Sequence, residues 1–397
     1  MRFVPVLIIL TLMVFLPSVL YARHVLKQKH GVTRGIVAAY AIPTLFILTF
    51  ILIQYATRIG ILDVKVMEWM LWASILLILP SNIYALFYII DKIQTLFSKK
   101  NCRTLHYIGA IIASFVIIGM IIGAATRHKI KVREVVITSQ NLPSEFDGIR
   151  IAHITDLHLG NLTPRDKYLK RIINSLNTQH PDLLLFTGDM MNLTATEAEG
   201  LDSLFAAVDA PLGRYAVMGN HDYGDYSRWP SDSAKQANIQ STYRAYQTLG
   251  FQLLNDSALH IHHGEDSIGI IGCENWGAPP FPRYGNLEDA TTNYQPAAFN
   301  ILLTHDATHW VEQVSIDARY DYIDLTLSGH THATQFGIYI NEDIKWSPSQ
   351  YIYTHWDGHY QHKEQHLFIS RGLGYVGIPF RLGMLPEISI ITLIKDK

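Results

Sequence analysis

The sequence predicts two parts of different fold class, an all-α membrane region followed by an α/β domain. Apolar segments close to the length of a membrane-spanning helix fill the first third of the chain. Beyond Arg127, short apolar runs typical of strands alternate with helical stretches, which is the order of elements in an α/β domain. We therefore predict a membrane region over residues 1–128 and an α/β domain over residues 129–397.

Four apolar segments predict four transmembrane helices. Each is near the roughly 20 residues that cross a bilayer as a helix, and none contains a charged residue. The first could instead be a signal peptide, but no small-residue cleavage site follows it before Arg23, so we predict a retained helix. The segments are 3–20, 35–56, 69–90 and 107–125.

The orientation of these helices follows from the basic residues between them. Lysine and arginine concentrate in the connections after the first and third segments, which places both connections in the cytoplasm and the α/β domain outside it. Arg127, Lys129, Lys131 and Arg133 directly follow the fourth segment and favour the opposite orientation. We predict a multi-pass membrane protein, embedded in the lipid bilayer, with an extracytoplasmic domain.

Charge and cysteine content exclude two other classes of protein. The formal net charge of −2 comes from interspersed signs, so no basic face for nucleic acid is expected. Two cysteines, Cys102 and Cys273, cannot form a disulfide framework.

The second part of the chain contains five predicted strands and two predicted helices. A leading strand and turn over 129–147 would join it to the membrane region, and the loops 224–237 and 276–294 could border a site. The strands are 149–154, 183–187, 215–218, 299–304 and 323–328, and the helices are 165–177 and 201–208.

Side chains that bind metals follow each of the five predicted strands. Separate strands can aim such ligands at one point, and an oxygen and nitrogen set without thiolate suits manganese, iron or zinc. A carboxylate directly after Gly188 has two oxygens and can bridge two cations. One metal would take Asp156, His158 and His332; the other would take Asn220, His305 and His330; Asp189 would bridge them.

Each of these residues also has a purely structural interpretation. A single aspartate at a strand end commonly caps the next element, and Asp189 could do so. Seven such residues at successive strand ends have little structural purpose, because buried unpaired carboxylates and imidazoles cost several kcal/mol. We therefore interpret the set as a two-metal site.

His221 stands apart from the ligands because the ligand set is full without it. It is available as a proton donor, and Asp222 could hold its protonated form over the site. The alternative is a histidine that only faces solvent.

The order of these motifs resembles the calcineurin-like metallophosphoesterase family over residues 130–397. The resemblance rests on Asp156-x-His158, Gly188-Asp189, Gly219-Asn-His-Asp222, His305 and Gly329-His-x-His332. The segments Thr155–Gly160, Asn220–Tyr223 and 370–388 resemble the membrane-anchored bacterial branch of YkuE-like phosphodiesterases. The four preceding apolar segments resemble those of transmembrane metallophosphoesterases.

The resemblance implies a four-layer α-β-β-α sandwich with two mixed sheets and two divalent cations. A hydroxide bridging the cations would attack phosphorus, and His221 would protonate the leaving oxygen. The implied substrate is a phosphodiester or pyrophosphate, lipid-linked or from the envelope, hydrolysed at a bacterial cytoplasmic membrane. A phosphomonoesterase and a non-catalytic membrane sensor or scaffold that keeps the fold are the alternatives.

Two further groups of residues invite a functional interpretation. Four histidines suggest another metal site, but their segment alternates like a hairpin, so we interpret them as a solvated surface. Four residues near the long loops could contact substrate or only pack the loops. The histidines are His355, His359, His362 and His366, and the loop residues are Tyr223, Trp276, Phe281 and Arg283.

Overall fold

The computed structural model describes residues 64–99, 103–162 and 165–396. The chain divides into two compact units. One comprises Met1–Ala125 with Gly377–Phe380, and its described part contains two long helices. The other comprises Thr126–Val376 with Arg381–Lys397 and contains strands and shorter helices. The predicted boundary at residue 128 remains a prediction.

Two helices in the described residues are long and apolar enough to cross a membrane. They are α1, Val64–Ser98, and α2, Arg103–Thr126. They confirm helices over the predicted segments 69–90 and 107–125, and α1 extends beyond its segment at both ends. The predicted segments 3–20 and 35–56 lie outside the described residues. The described chain thus supports two candidate membrane helices, where the sequence predicted four.

A polar contact and a small residue contribute to the packing of α1 against α2. His106 Nε2 of α2 lies 3.3 Å from the carboxylate of Asp91 on α1, which is fully buried. Gly109 of α2 lies against Phe87 of α1, where a larger side chain would clash. Small residues at a helix crossing allow this close approach, and a buried carboxylate in an apolar helix needs such a partner.

Fourteen strands occur in the described residues of the second unit. In chain order, β1 to β14 are Lys131–Ser139, Arg150–Ile154, Leu183–Phe186, Arg214–Ala216, Gln252–Leu253, Ser257–His263, Asp266–Gly272, Asn300–Leu303, Leu325–Ser328, Ile338–Tyr339, Lys345–Trp346, Gly358–His362, Gln365–Ile369 and Glu387–Lys395. The α-helices of this unit are α3 Arg165–Thr178, α4 Asp202–Phe205, α5 Asp232–Thr248 and α6 Leu287–Ala290.

These elements confirm the predicted α/β domain and change several boundaries. All five predicted strands form, and α3 matches the predicted helix 165–177. The predicted helix 201–208 is only the short α4. The predicted loop 224–237 ends early, because Ser231 accepts a hydrogen bond from the backbone N–H of Ala234 and caps α5.

Twelve of the strands form two mixed six-stranded sheets. The first has the order β1-β14-β2-β3-β4-β5, in which β2 to β5 run parallel and β14 runs antiparallel to β2. The second has the order β12-β13-β9-β8-β7-β6, in which the central four strands are parallel. The C-terminal strand β14 was not predicted, although it lies inside the first sheet between β1 and β2.

Three apolar clusters hold the sheets and helices together. One cluster contains side chains from both sheets, such as Ile151 and Leu185 of the first and Ile270 and Phe368 of the second. Another joins the first sheet to α3 and α5, and a third joins the second sheet to α6. Because the apolar side chains of these clusters are buried and closely packed, the strand ends have fixed positions. The carboxyl ends of β2, β3, β8 and β9 can then present side chains at fixed positions.

A buried histidine close to the carboxyl end of β8 is expected to make the fold sensitive to acid. His309 is fully buried, with its Nδ1 2.9 Å from Thr304 Oγ1, its Nε2 3.1 Å from Gln313 Oε1, and its ring stacked on Trp276. Burial lowers the pKa of His309 to about 3. The folded protein therefore holds this imidazole neutral.

We expect stability to fall as the pH drops below about 6.5, the ordinary histidine pKa. In that range the unfolded chain binds a proton at His309 that the folded chain does not, so the loss from this residue reaches about 2 kcal/mol by pH 5. His309→Gln should lower stability at pH 7 and make its pH dependence shallower by that amount. Unfolding of the full chain in detergent at pH 7, 6 and 5 measures this. An equally steep dependence in the variant would contradict the expectation.

Candidate metal centre

All seven residues predicted as metal ligands follow strands of the two sheets, and five of them belong to groups whose ligand atoms lie within 4.8 Å of one another. Asp156 and His158 follow β2, and Asp189 follows β3. The others follow β4, β8 and β9, and they are Asn220, His305, His330 and His332. All are buried except His330, which is partly exposed.

Three of these side chains form one compact group. Asp156 Oδ1 lies 3.3 Å from His332 Nε2 and 3.8 Å from His158 Nε2. The two Nε2 atoms lie 3.1 Å from each other. Two imidazole nitrogens at this distance repel when both carry lone pairs, unless a proton or a cation lies between them.

Asp189 links this group to a second group of imidazoles. Asp189 Oδ2 lies 3.1 Å from His305 Nε2 and 3.6 Å from His158 Nε2. His305 Nε2 in turn lies 3.2 Å from His330 Nδ1. The carboxylate of Asp189 therefore stands between the two groups of imidazoles.

The residues present fit divalent cations on two observations. Asp156 Oδ1 and Asn220 Oδ1 are buried and have no hydrogen-bond partner among the described residues, which costs free energy unless something else binds them. The separations of 3.1 to 3.8 Å between ligand atoms resemble the edges of a coordination shell with bonds of about 2.1 Å. The donor set contains no sulfur and does not identify the metal.

Hydrogen bonds behind the candidate ligands fix their orientation. His305 Nδ1–H donates to the carbonyl of Thr187 at 2.7 Å, which leaves its Nε2 facing Asp189. The backbone N–H of His330 donates to Asp156 Oδ2 at 3.1 Å, which leaves Asp156 Oδ1 facing the site. Such outer contacts commonly orient metal ligands.

A buried arginine contacts the ring of His332 at Nδ1, the nitrogen that does not face Asp156. Arg381 Nη2 donates to His332 Nδ1 at 2.9 Å and also to the carbonyls of Arg371 and Gly374. Arg381 is fully buried. Its role was not predicted, because it lies 49 positions from His332 and only the fold brings the two together.

Backbone strain concentrates at the candidate ligands. Five of the seven have a positive φ, a region that costs non-glycine residues of order 1 kcal/mol or more. These residues are Asp156 (53°), His158 (46°), Asp189 (59°), His330 (71°) and His332 (49°). The surrounding packing holds them in this conformation, as is typical of functional sites.

Glycines next to the ligands allow the strand ends to approach one another. A Cβ on Gly188, whose φ is +96°, would meet the backbone of Gly219. A Cβ on Gly329 would meet the carboxylate of Asp156. The glycines of the sequence motifs are therefore required by close approach of neighbouring strand ends.

The buried charges shift one another's titration. Burial alone would raise the pKa of Asp189, but His305 and His221 hold it well below its usual range. Burial likewise would lower the pKa of His305, but Asp189 and Asp156 raise it to about 10. The carboxylates are therefore anionic, as metal ligands must be.

His221 lies beside the two groups. Its backbone N–H donates to Asp189 Oδ1 at 2.8 Å, and its ring Nδ1 lies 2.8 Å from the carbonyl of Asn192. Its ring stands perpendicular to that of His158 at 4.7 Å. Burial lowers the pKa of His221 to about 4, although the neighbouring Asp189 opposes this. Because Nδ1–H donates to Asn192, Nε2 is the ring atom left to exchange a proton.

The carboxylate of Asp222 is bound to two loops behind the site. It accepts hydrogen bonds from the backbone N–H groups of Asp189, Met191 and Gly219 and from the hydroxyl of Tyr246. These contacts tie the loop after β3 to the loop after β4, and the predicted role of Asp222 in holding protonated His221 stays a prediction. Burial, followed by the charge of Asp189, raises the pKa of Asp222 to about 7.

Aromatic side chains lie around the site. Phe281 contacts the ring of His330 edge-on at 4.5 Å, and Tyr353 does so at 5.9 Å. Tyr226 lies over His221 at 4.2 Å, and its hydroxyl accepts a hydrogen bond from Asn220 Nδ2 at 2.7 Å. Tyr226 and Tyr353 were not predicted, although Tyr226 lies in a predicted loop that follows the Asn220 motif.

The other three predicted loop residues mainly pack the structure. Tyr223 is buried and stacks on Tyr284 at 3.7 Å. Trp276 stacks on His309, and Arg283 lies 3.6 Å from the centre of the Trp276 ring. Among the four residues considered for substrate contact, Phe281 contacts a candidate metal ligand, His330.

The second set of histidines forms no metal site in the described residues. These four histidines are absent from the groups of side chains close enough to hold an ion. His359 and His362 are exposed on β12, as expected for a solvated surface. The interpretation as a solvated surface is wrong for His366, which is buried. Its Nδ1 lies 2.9 Å from Nε2 of His359.

Comparison with known proteins agrees with this geometry. The family model described as calcineurin-like phosphoesterase matches residues 149–334, which include all seven candidate ligands. An uncharacterized metallophosphoesterase YkuE from Bacillus subtilis is 31% identical over 270 residues, covering 67% of this chain and 86% of that protein.

Two other relatives carry more specific names. A transmembrane protein with metallophosphoesterase domain from Danio rerio is 28% identical over 66% of this chain and 57% of that protein. The UDP-2,3-diacylglucosamine pyrophosphatase LpxG from Chlamydia trachomatis is 30% identical over 50% of this chain and 68% of that protein. With the identity and coverage shared with the Bacillus subtilis protein, the chain belongs to the calcineurin-like metallophosphoesterase family, whose members hydrolyse phosphoesters.

Proposed function

We propose that this protein is a membrane-anchored hydrolase that uses two divalent cations to cleave a phosphodiester or pyrophosphate of a lipid-linked substrate. The observation that carries the proposal is the convergence of ligand-type side chains in three overlapping groups, formed by Asp156, His158, Asp189, His221, His305 and His332. Beside them, Asn220 Oδ1 is buried and has no hydrogen-bond partner among the described residues. A non-catalytic scaffold has no need to keep such costly atoms in place.

The two groups of side chains would hold one cation each. Asp156, His158 and His332 would hold the first, and Asn220, His305 and His330 the second, with Asp189 shared. When bound, a pair of manganese, iron or zinc ions activates the attacking water and neutralises charge on the phosphoryl oxygens. The negative charge and fixed orientation of Asp189 would help to hold both ions.

His221 would exchange the proton of the leaving oxygen. Its Nδ1–H is anchored on the carbonyl of Asn192, so only Nε2 can take part. The lowered pKa keeps the imidazole of His221 neutral despite the charge of Asp189, so its protonation needs a further anion beside it. A bound phosphoryl group is such an anion and favours the protonated donor form. Asp222 would act through the backbone it holds.

The aromatic side chains around the site favour a substrate with two ester groups on phosphorus over a phosphomonoester. Phe281, Tyr353 and Tyr226 contact residues of the centre, so an apolar group on the substrate would meet aromatic rings. The relative LpxG carries a name that specifies a lipid-bearing pyrophosphate. A phosphomonoester has no second ester group to meet these rings.

The architecture of the rest of the chain is also part of the proposal. Helices α1 and α2 would be two of several membrane spans, with the α/β domain outside the cytoplasm of a bacterial cell. The two sheets and their flanking helices would form the four-layer α-β-β-α arrangement expected for the family. The apolar cluster shared by the two sheets supports this arrangement.

The full chain, purified in detergent with added manganese, should cleave bis-p-nitrophenyl phosphate faster than p-nitrophenyl phosphate. The aromatic contacts favour the diester, because its second aryl ester can stack on them. Initial rates with both compounds measure this. A preference for the monoester would indicate a phosphatase. Failure to cleave either compound by folded, metal-loaded protein would favour a narrow pyrophosphate specificity or the scaffold.

Asp189→Asn should lose bound metal and at least roughly 100-fold in the rate of diester cleavage, because it removes the shared negative charge. Asparagine tolerates the positive φ at this position, so the fold should persist. Metal content per chain and initial rates measure the two effects. Asp182→Asn, the same substitution just before β3, is the matched control and should keep both. Parent-like metal content in Asp189→Asn would refute its proposed position between the ions.

His221→Asn should slow the cleavage of diesters according to their leaving group. A p-nitrophenolate leaves without a proton, whereas an alkoxide requires one. The rate of cleavage should therefore fall roughly 100-fold for an alkyl diester and less for an aryl diester. Rates for a series of aryl and alkyl diesters measure the dependence, and metal content should stay at the parent level. An equal loss for all leaving groups would show that His221 does not donate the proton.

A further inference from the structure

The segment that follows the candidate ligand His332 forms a small amphipathic hairpin. Strand β10 pairs antiparallel with β11, so that Ile338 faces Trp346 and Tyr339 faces Lys345. The hairpin continues through the hydrogen bond from Ile340 N–H to the carbonyl of Ile344. Since side chains alternate between the two faces of a strand, one face carries the isoleucines and the other carries tyrosine and lysine.

Charged and aromatic contacts hold the second face against the α/β domain. Lys131 lies 4.4 Å and Arg371 4.1 Å from the centre of the Tyr339 ring. Lys345 donates to the carbonyl of Asp357, and Glu342 in the turn pairs with Arg133. Arg371 and Asp357 are both buried. The hairpin is therefore held with a defined face outward.

The outward face is apolar and exposed to solvent in this structure. It continues from the hairpin onto the turn 348–352, because Trp346 Nε1 lies 3.5 Å from the hydroxyl of Tyr351. The exposed fractions are 59% for Ile338, 67% for Ile340, 55% for Ile344, 77% for Tyr351 and 67% for Ile352. A contiguous apolar patch of this kind on a rigid element marks an interaction surface.

The position of the hairpin in the chain favours a bilayer as the partner. Lys131, which contacts Tyr339, lies five residues after Thr126, the last residue of α2. Five residues span at most about 18 Å when the chain is fully extended. Helix α2 is long and apolar enough to cross a membrane. The hairpin is thus tethered close to the point where the chain would leave the membrane.

The composition of the patch agrees with a lipid surface. Isoleucines make up most of this face, and Trp346 and Tyr351 stand beside them. Tryptophan and tyrosine prefer the interface between lipid and water.

We propose that the apolar face of the β10–β11 hairpin, with Tyr351 and Ile352, inserts into the interface of the bilayer that carries this chain. Ile352 precedes Tyr353, whose ring contacts that of His330, so the patch reaches the border of the metal centre. Insertion would hold the centre at the height of lipid headgroups. The proposal rests on the membrane location of the chain and not on the identity of the reaction.

Site-directed fluorescence in the full chain tests the insertion without any substrate. Ile340→Cys and Ile316→Cys are each made with Cys102→Ser and labelled with the polarity-sensitive dye NBD; Cys273 is buried and should not react. Ile316 is similarly exposed, at 73%, and lies in the segment between β8 and β9, outside the hairpin and the turn 348–352. Both proteins are placed in vesicles of phosphatidylcholine and phosphatidylglycerol, with or without nitroxide-labelled lipid.

The dye at residue 340 should show blue-shifted emission and lose roughly half or more of it to nitroxide lipid, and the dye at residue 316 should not. Water-like, unquenched emission at residue 340 would overturn the proposal. Blue-shifted emission that lipid does not quench would also overturn it, because another part of the chain or a second copy would then cover the patch. Equal quenching at both positions would overturn it as well, because contact with lipid would then not be specific to the hairpin. Unchanged thermal unfolding confirms that each variant is folded.

Discussion

The buried carboxylate of Asp189 is the group on which the arrangement of the site depends. It lies between two sets of imidazoles, and its charge lowers the cost of burying His305 in a protonated state when no cation is present. An isolated buried carboxylate would be too costly, so the neighbouring strand ends must supply partners. This requirement explains why histidines from both sheets reach the same point.

Holding such groups together demands rigidity that the sheets provide. The apolar cluster shared by the two sheets fixes the spacing of β2 and β3 relative to β8 and β9. The strained backbone of Asp156 and Asp189 persists because the strands before them and the loops after them are packed. Outer groups such as Arg381 then select the ring orientation of His332. Stability elsewhere in the domain therefore offsets strain at the centre.

Two separate features of the chain would act together under the proposals made above. Apolar helices α1 and α2 have the length and hydropathy for anchoring, and the hairpin face with Ile340 provides an apolar surface on the α/β domain itself. The proposed contact of this face with lipid would fix the height and direction of the site, which would matter for the proposed lipid-linked substrate.

The sequence by itself determined the α/β class and the ligand-type residues, because strand runs and the motifs around Asp156 or His330 are local in the chain. Tertiary structure alone decided the place of β14 between β1 and β2, the burial of His366 and the partners of Asp222. It also decided that Arg381 contacts His332. These features depend on contacts between segments far apart in sequence, which no periodicity or spacing records.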